Sequence, residues 1–326
     1  MWIVGILKTN QDNMKTIFAI CSLVCFSFVA NTQNYFDYHR KINKAEKHIA
    51  KEEFEQAIPI YQEVFDSFNF IFIKDALIAG QIAVFVEQDS IARTFVERAL
   101  KGGYELPCLM RNQYLKQLVD DSLKMVAKEV RKEYFKSIDY DLLKETSSRY
   151  QEEQVSYVEA KEFYTISVRG NYKLIKQFTE KNGFPGDQLI GIDYPRLAKK
   201  MKACTCGNEK IIETLMTVDF PISEMWDHWR KAIEDGMLHP REFVHLFIAE
   251  KTRKSMLYLP KLQRDPNKSR PLLPDFRFNF PGDEIIRNLS RVDRDRREWG
   301  VCSYGTDIGK EEVAKKYNFQ FYYGYR

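Results

Sequence analysis

With 326 residues the chain can bury one full core and has length for a second, and an apolar share of 44% excludes wholesale disorder. Its formal charge of +4 is small and interspersed, as in Glu46-Lys47 and Lys51-Glu52-Glu53, which excludes the basic stripe of a nucleic-acid reader.

Met14-Lys15 opens a pattern of export. A basic residue precedes the apolar run 16–30, and polar Asn31-Thr32-Gln33-Asn34 follows, the order of a secretory signal peptide. Ala30 and Thr32 supply the small residues before a cleavage that leaves Gln33 first. The apolar run is shorter than the roughly twenty residues of a spanning helix. Bulky Ile20 and Val24 precede Cys21 and Cys25, which argues against a lipidated cysteine. Residues 1–32 are therefore read as an N-terminal extension and signal peptide, with Met1 or Met14 as the start. The mature protein is expected in the periplasm or outside the cell, free or associated with the outer membrane, with no stable span after cleavage. Cys108, Cys204, Cys206 and Cys302 then enter a compartment that permits disulfides, and three pairings are open. Free buried thiols are the alternative. A soft-metal half-site at Cys204-Thr205-Cys206 is a third reading, without a second ligand pair at recognisable spacing.

Residues 34–140 read as helix throughout. Ala45, Ala57, Tyr61 and Val64 recur 35 residues later as Gly80, Ala92, Val96 and Ala99. Small residues at these intervals let helix backbones approach closely, while larger ones fill the groove between them. Helices are expected near Tyr38–Ala50, Glu53–Phe68 with Pro59 inside, Ile73–Glu87, and from Asp89 or Ser90 to Leu100, with a stop at Gly102-Gly103. This stretch resembles the tetratricopeptide helical-hairpin repeat. The resemblance implies a stack with a concave surface for extended peptides or partner helices. Two repeats do not close a core, so Met110–Ser137 is expected to cap them.

Beyond Ile138 a polar helix is expected with a break at Ser147-Ser148, then a helix over Tyr157–Lys181 and a turn at Phe184-Pro185-Gly186-Asp187. Further helices are expected at Glu209–Met216, Glu224–Asp235, His239 to Arg253 with Pro240 at its first position, and Glu284–Glu298. Five prolines mark 260–283 as a long loop, and alternating aromatics over Tyr317–Arg326 read as a short strand. The domain division expected is 34–140, a helical-repeat domain, and 155–326, a second mostly helical domain. The fold class expected is mainly α.

Asn182-Gly183-Phe184-Pro185 with Gly191, then Ala232–Arg253, then Tyr304-Gly305-Thr306, are similar to an uncharacterised bacterial domain family with no assigned activity. That family often carries helical repeats ahead of the domain. The chain departs from it in having no histidine after the Gly191 region and Asp307 where glutamine is usual.

Chemistry is sparse. There is no G-x-S-x-G, P-loop, H-E-x-x-H or glycine-rich dinucleotide turn, and no cofactor is implied. Glu242 and His245 lie three apart on one helix and can face one metal, with His239 joining them. The plainer alternative has His239 and Glu242 capping the helix while His245 packs on Phe243 or Leu246. Arg294 and Arg297, beside Trp299 and Tyr304, form a candidate anion or partner site, and Tyr61 is a candidate on the repeat surface. The leading expectation is an exported, non-enzymatic interaction protein that binds a protein or peptide partner in the cell envelope. The rival is an enzyme of unknown class, metal-dependent or not, with its site in the C-terminal half.

Overall fold

Apolar spacing of three and four residues sets the first helices. In the computed structural model, which describes residues 33–159, 161–192, 204, 206–208, 211–212, 214–215, 222–243 and 289–321, helix α1 spans Tyr35–Ile49. Tyr38, Ile42, Ala45 and Ile49 form its buried stripe, and the Asn34 side chain caps its start by accepting the Phe36 N–H. Helix α2 (Phe54–Ser67) continues through Pro59 and packs back on α1. Helices α3 (Ile73–Phe85) and α4 (Asp89–Lys101) form a second hairpin. The two hairpins share a turn: Glu52 and Glu87, both non-glycine, adopt left-handed backbone at φ 61° and 62°. At the same register Glu53 N–H donates to the His48 carbonyl, and Gln88 N–H to the Ala83 carbonyl. Ala45, Ala57, Tyr61, Val64, Ala92, Val96 and Ala99 are all fully buried, so the recurring positions sit at helix–helix contacts.

Helix α3 is the centre of the first core. Every residue from Ile73 to Val84 is buried, including Lys74, Asp75 and Gln81. After α4 the chain makes short helical turns at Leu106–Leu109 and Leu115–Leu118, then helix α5 (Asp121–Ser137). Asp120 caps α5 by accepting the Leu123 N–H at 2.7 Å, and it takes both Arg93 guanidinium nitrogens at 2.8 and 3.2 Å. That pair ties α4 to the start of α5. Gly103 needs its positive φ of 103°, and a side chain there would enter the Tyr134 ring.

Helices α6 (Tyr140–Glu159) and α7 (Lys161–Asn182) pack as a third hairpin. The break expected at Ser147-Ser148 is not made: α6 runs through, and Ser147 is buried. Hydroxyls inside a helix can bond back one turn, as Thr146 does to the Leu142 carbonyl at 3.0 Å, so the helix continues. Residues 141–154, between the two expected domains, are the body of the polar helix expected there.

The C-terminal half contributes helix α8 (Trp226–Glu234), helical residues 240–243, helix α9 (Leu289–Glu298) and helix α10 (Tyr304–Tyr317). It builds a second core around Trp229, Phe184, Ile233, Phe243 and Trp299. Helix α10 has no counterpart among the sequence expectations. Of the strand expected over Tyr317–Arg326, residues 317–321 are not strand, and 322–326 lie outside the described residues. Instead α10 ends at left-handed Asn318, and 319–321 run without helical or strand pairing. Val313 and Phe319 enter the first core, and α10 packs on α1. The chain is mainly α, and Asn34–Arg326 forms one compact unit. Among the described residues no helix is long and apolar enough to cross a membrane. The signal peptide over 1–32, His245 and the loop over 260–283 lie outside the described residues.

Candidate functional site

Charged side chains are seldom fully buried unless they are paired. This protein buries many in one seam, where α1 and α3 meet residues 239–243, Cys302 and α10. Lys74 Nζ donates to Glu242 Oε1 at 2.5 Å, with both side chains no more than 5% exposed. Burial opposes the Lys74 charge, but Glu242, Cys206 and Asp187 hold its pKa well above the ordinary lysine value. Beside them the Asn208 N–H donates to Asp187 Oδ1 at 2.7 Å.

Arg241 occupies the middle of the seam. Its guanidinium donates to Glu46 Oε2 at 2.7 Å and Asp307 Oδ1 at 2.9 Å, and reaches Cys302 Sγ at 3.1 Å. Lys310 Nζ lies 2.7 Å from Glu46 Oε2 and 3.1 Å from Asp307 Oδ1. Arg296 pairs with the other Asp307 oxygen and donates to the Cys302 carbonyl at 2.7 Å. Burial would raise the Asp307 pKa, yet Arg241, Lys310 and Arg296 hold it far below the carboxylate range. Glu46 is lowered for the same reason, against the same opposition from burial. Burial pushes the Cys302 thiol up to about 11.

Glu46, Cys302 and Asp307 have donor atoms within 4.8 Å of one another, a spacing a metal could use. The chain's own cations already stand there, and the thiol is held protonated. This donor set therefore fits an internal ion network better than a metal.

A third group completes the seam. The rings of His39 and His239 meet edge-to-face at 5.0 Å. The Arg241 N–H donates to His239 Nδ1 at 3.3 Å, so His239 caps the helix that begins at Pro240 and carries its proton on Nε2. That Nε2 is 3.8 Å from Asp75 Oδ1, beyond hydrogen-bond distance, while Asp75 Oδ2 accepts the Tyr38 hydroxyl at 2.8 Å. Among the described residues neither His39 Nε2 nor His239 Nε2 has a hydrogen-bond partner. Burial, then neighbouring charges, keep both imidazoles neutral, with pKa values well below 6.5. Burial raises the Asp75 pKa.

Of the expected metal set, His245 lies outside the described residues, and the other two members have partners of their own. His239 turns one nitrogen to the backbone, and Glu242 is taken by Lys74. Tyr61 is fully buried against Phe65, and Trp299 stacks on Phe243 at 4.1 Å, so both pack inside the protein. Arg294 is exposed and pairs with adjacent Asp295. Arg297 lines a polar pocket with Arg40 and Arg230, while the Tyr304 N–H donates to Asp293 at 2.7 Å as α10 begins. These residues do not converge on one site. The sequence reading missed Glu46, Lys74, Asp75, Arg241, Asp307 and Lys310. One signal was present: Lys74-Asp75 opens a helix that is otherwise almost wholly apolar.

A second feature is the seat of residues 317–321. The fully buried Gln81 carboxamide donates to the Gln320 carbonyl at 2.8 Å and accepts the Gln320 N–H at 2.8 Å. Phe319 sits among Phe54, Phe85 and Tyr114 at ring separations of 5.9, 5.3 and 4.9 Å. The Asn112 amide donates to Gln320 Oε1 at 3.2 Å, and the Tyr114 hydroxyl to the Tyr317 carbonyl at 2.6 Å.

No protein-family model matches the chain, and no curated protein or solved structure matches it.

Proposed function

We propose that the protein is an exported helical scaffold that binds an extended peptide or protein segment in the cell envelope, its hairpins forming a tetratricopeptide-like peptide-binding stack. The observation that carries this reading is the Gln81 carboxamide, which engages both the N–H and the carbonyl of Gln320. Main-chain pairing of that kind holds an extended segment whatever its side chains, and the flanking aromatic pocket adds selectivity for an aromatic residue. The segment held in cis is 317–321, so an outside partner would compete with it. The Cys108–Cys204 disulfide supports an oxidising compartment, in keeping with export. The seam's carboxylates are matched by the chain's own cations, which supports a structural role for it as the latch between halves.

The test is fluorescence anisotropy with a labelled peptide of sequence Lys316–Arg326 and the chain from Gln33 to Arg326. Phe319→Ala, which loosens the resident segment, is expected to bind the peptide saturably. Adding Gln81→Leu is expected to abolish that binding. Absence of saturable binding by Phe319→Ala overturns the reading. An enzyme centred on His39, His239 and Asp75 is the second reading, favoured by the two imidazole nitrogens without partners among the described residues.

A further inference from the structure

The α6–α7 hairpin encloses a cavity of ≈ 300 Å³ away from the charged seam. Its wall is apolar, formed by Leu142, Leu174, Ile175, Phe178 and Ile211. Two polar residues that line it, Asn171 and Thr214, both donate to the fully buried Glu153 Oε2 at 3.1 Å. Those donors are engaged within the protein, so that side of the cavity adds little polar recognition. Volume of this order suits a small ligand. Leu174 is 40% exposed, so the wall opens to solvent.

Charge is confined to Glu145, Arg149 and Lys181. Arg149 gives Nε and Nη2 to one oxygen of Glu145, at 3.0 and 2.8 Å, and its Nη1 has no partner among the described residues. Lys181 has no ion-pair partner among the described residues. Among the lining residues one cation is therefore in excess, and the Glu153 carboxylate behind them is occupied by Asn171 and Thr214. An apolar tail gains by burial there, and a head group of negative charge finds two cations with unused donors.

We propose that this cavity is a binding site for a small amphipathic monocarboxylate, with its hydrocarbon body against Leu174, Ile175 and Phe178 and its carboxylate at Lys181 and Arg149. The site is separate from the peptide groove and stands or falls independently of it.

The probe is octanoate, titrated calorimetrically into the chain from Gln33 to Arg326, with octylammonium as the charge-reversed control. Octanoate is expected to bind at one site and octylammonium to bind far more weakly. Lys181→Glu, at an exposed position, is expected to weaken octanoate about tenfold, the effect of losing one charged hydrogen bond. Ile175→Trp is expected to fill the cavity and remove binding. If that variant proves less stable, Lys181→Glu alone decides. No octanoate binding, equal affinity for both probes, or unchanged affinity in Lys181→Glu would each overturn the proposal.

Discussion

Lys74 and Glu242, 168 residues apart in the chain, form a buried ion pair at 2.5 Å. The pair joins the all-buried helix α3 to the helix that His239 caps. Glu242→Ala would strand a charged ammonium in the core. It is expected to destabilise the protein by about 3–5 kcal/mol in urea unfolding. Replacing both partners, Lys74→Met with Glu242→Leu, is expected to cost far less, because no charge is left unpaired. Equal losses in the single and double variants would contradict this account.

His39 and His239 make stability depend on pH. Both are neutral when folded, with pKa values well below 6.5, whereas the unfolded chain titrates near that value. As pH falls below about 6.5 the unfolded state takes up more protons, so stability declines with acidification. Asp75 and Tyr38 face the pair from α3 and α1, and the positive charges of Lys74 and Arg241 further disfavour its protonation. His39→Phe is expected to give a shallower decline of the urea midpoint between pH 7.5 and 5.5. An identical decline would show that the imidazole carries none of it.

Thiol titration checks the cysteine chemistry. Cys206 and Cys302 are buried thiols outside any disulfide, while Cys108 and Cys204 are joined. The unreduced chain from Gln33 onward is expected to show two reactive thiols in denaturant. In the native state Cys302 is expected to stay silent at neutral pH, since its thiol is held protonated up to about 11. Four thiols in denaturant would contradict the pairing.

Gln81→Leu removes the partner of both Gln320 backbone groups and is expected to cost about 1–3 kcal/mol. Phe319→Ala empties a buried aromatic site and is expected to cost about 3–5 kcal/mol. Limited proteolysis should then cut within 318–321 first. Cleavage elsewhere at the wild-type rate would argue that this segment is not held by the groove.

The helices at Tyr38–Ile49 and Phe54–Phe65 were legible because their apolar residues recur every three or four positions, and the small residues at Ala45, Ala57, Ala92 and Ala99 revealed the 35-residue period. Helix α10 was not, because its buried face carries Asp307 and Lys310 with Val313. Such a face reads as solvent-exposed until its partners Glu46 and Arg241 arrive from other parts of the chain. Phe319-Gln320-Phe321 alternates like a strand, but its main-chain partner is a glutamine side chain. The seam was illegible for the same reason: its charges neutralise one another across distances that local pattern does not record.

Val313 and Phe319 complete the core that Tyr35, Tyr38 and Ile42 begin. The order of synthesis acquires a consequence from this. Until residues 313–319 have been made, the first hairpins lack part of their interior. A chain cut before Val313 would carry its defect far from the cut, in the hairpins made first.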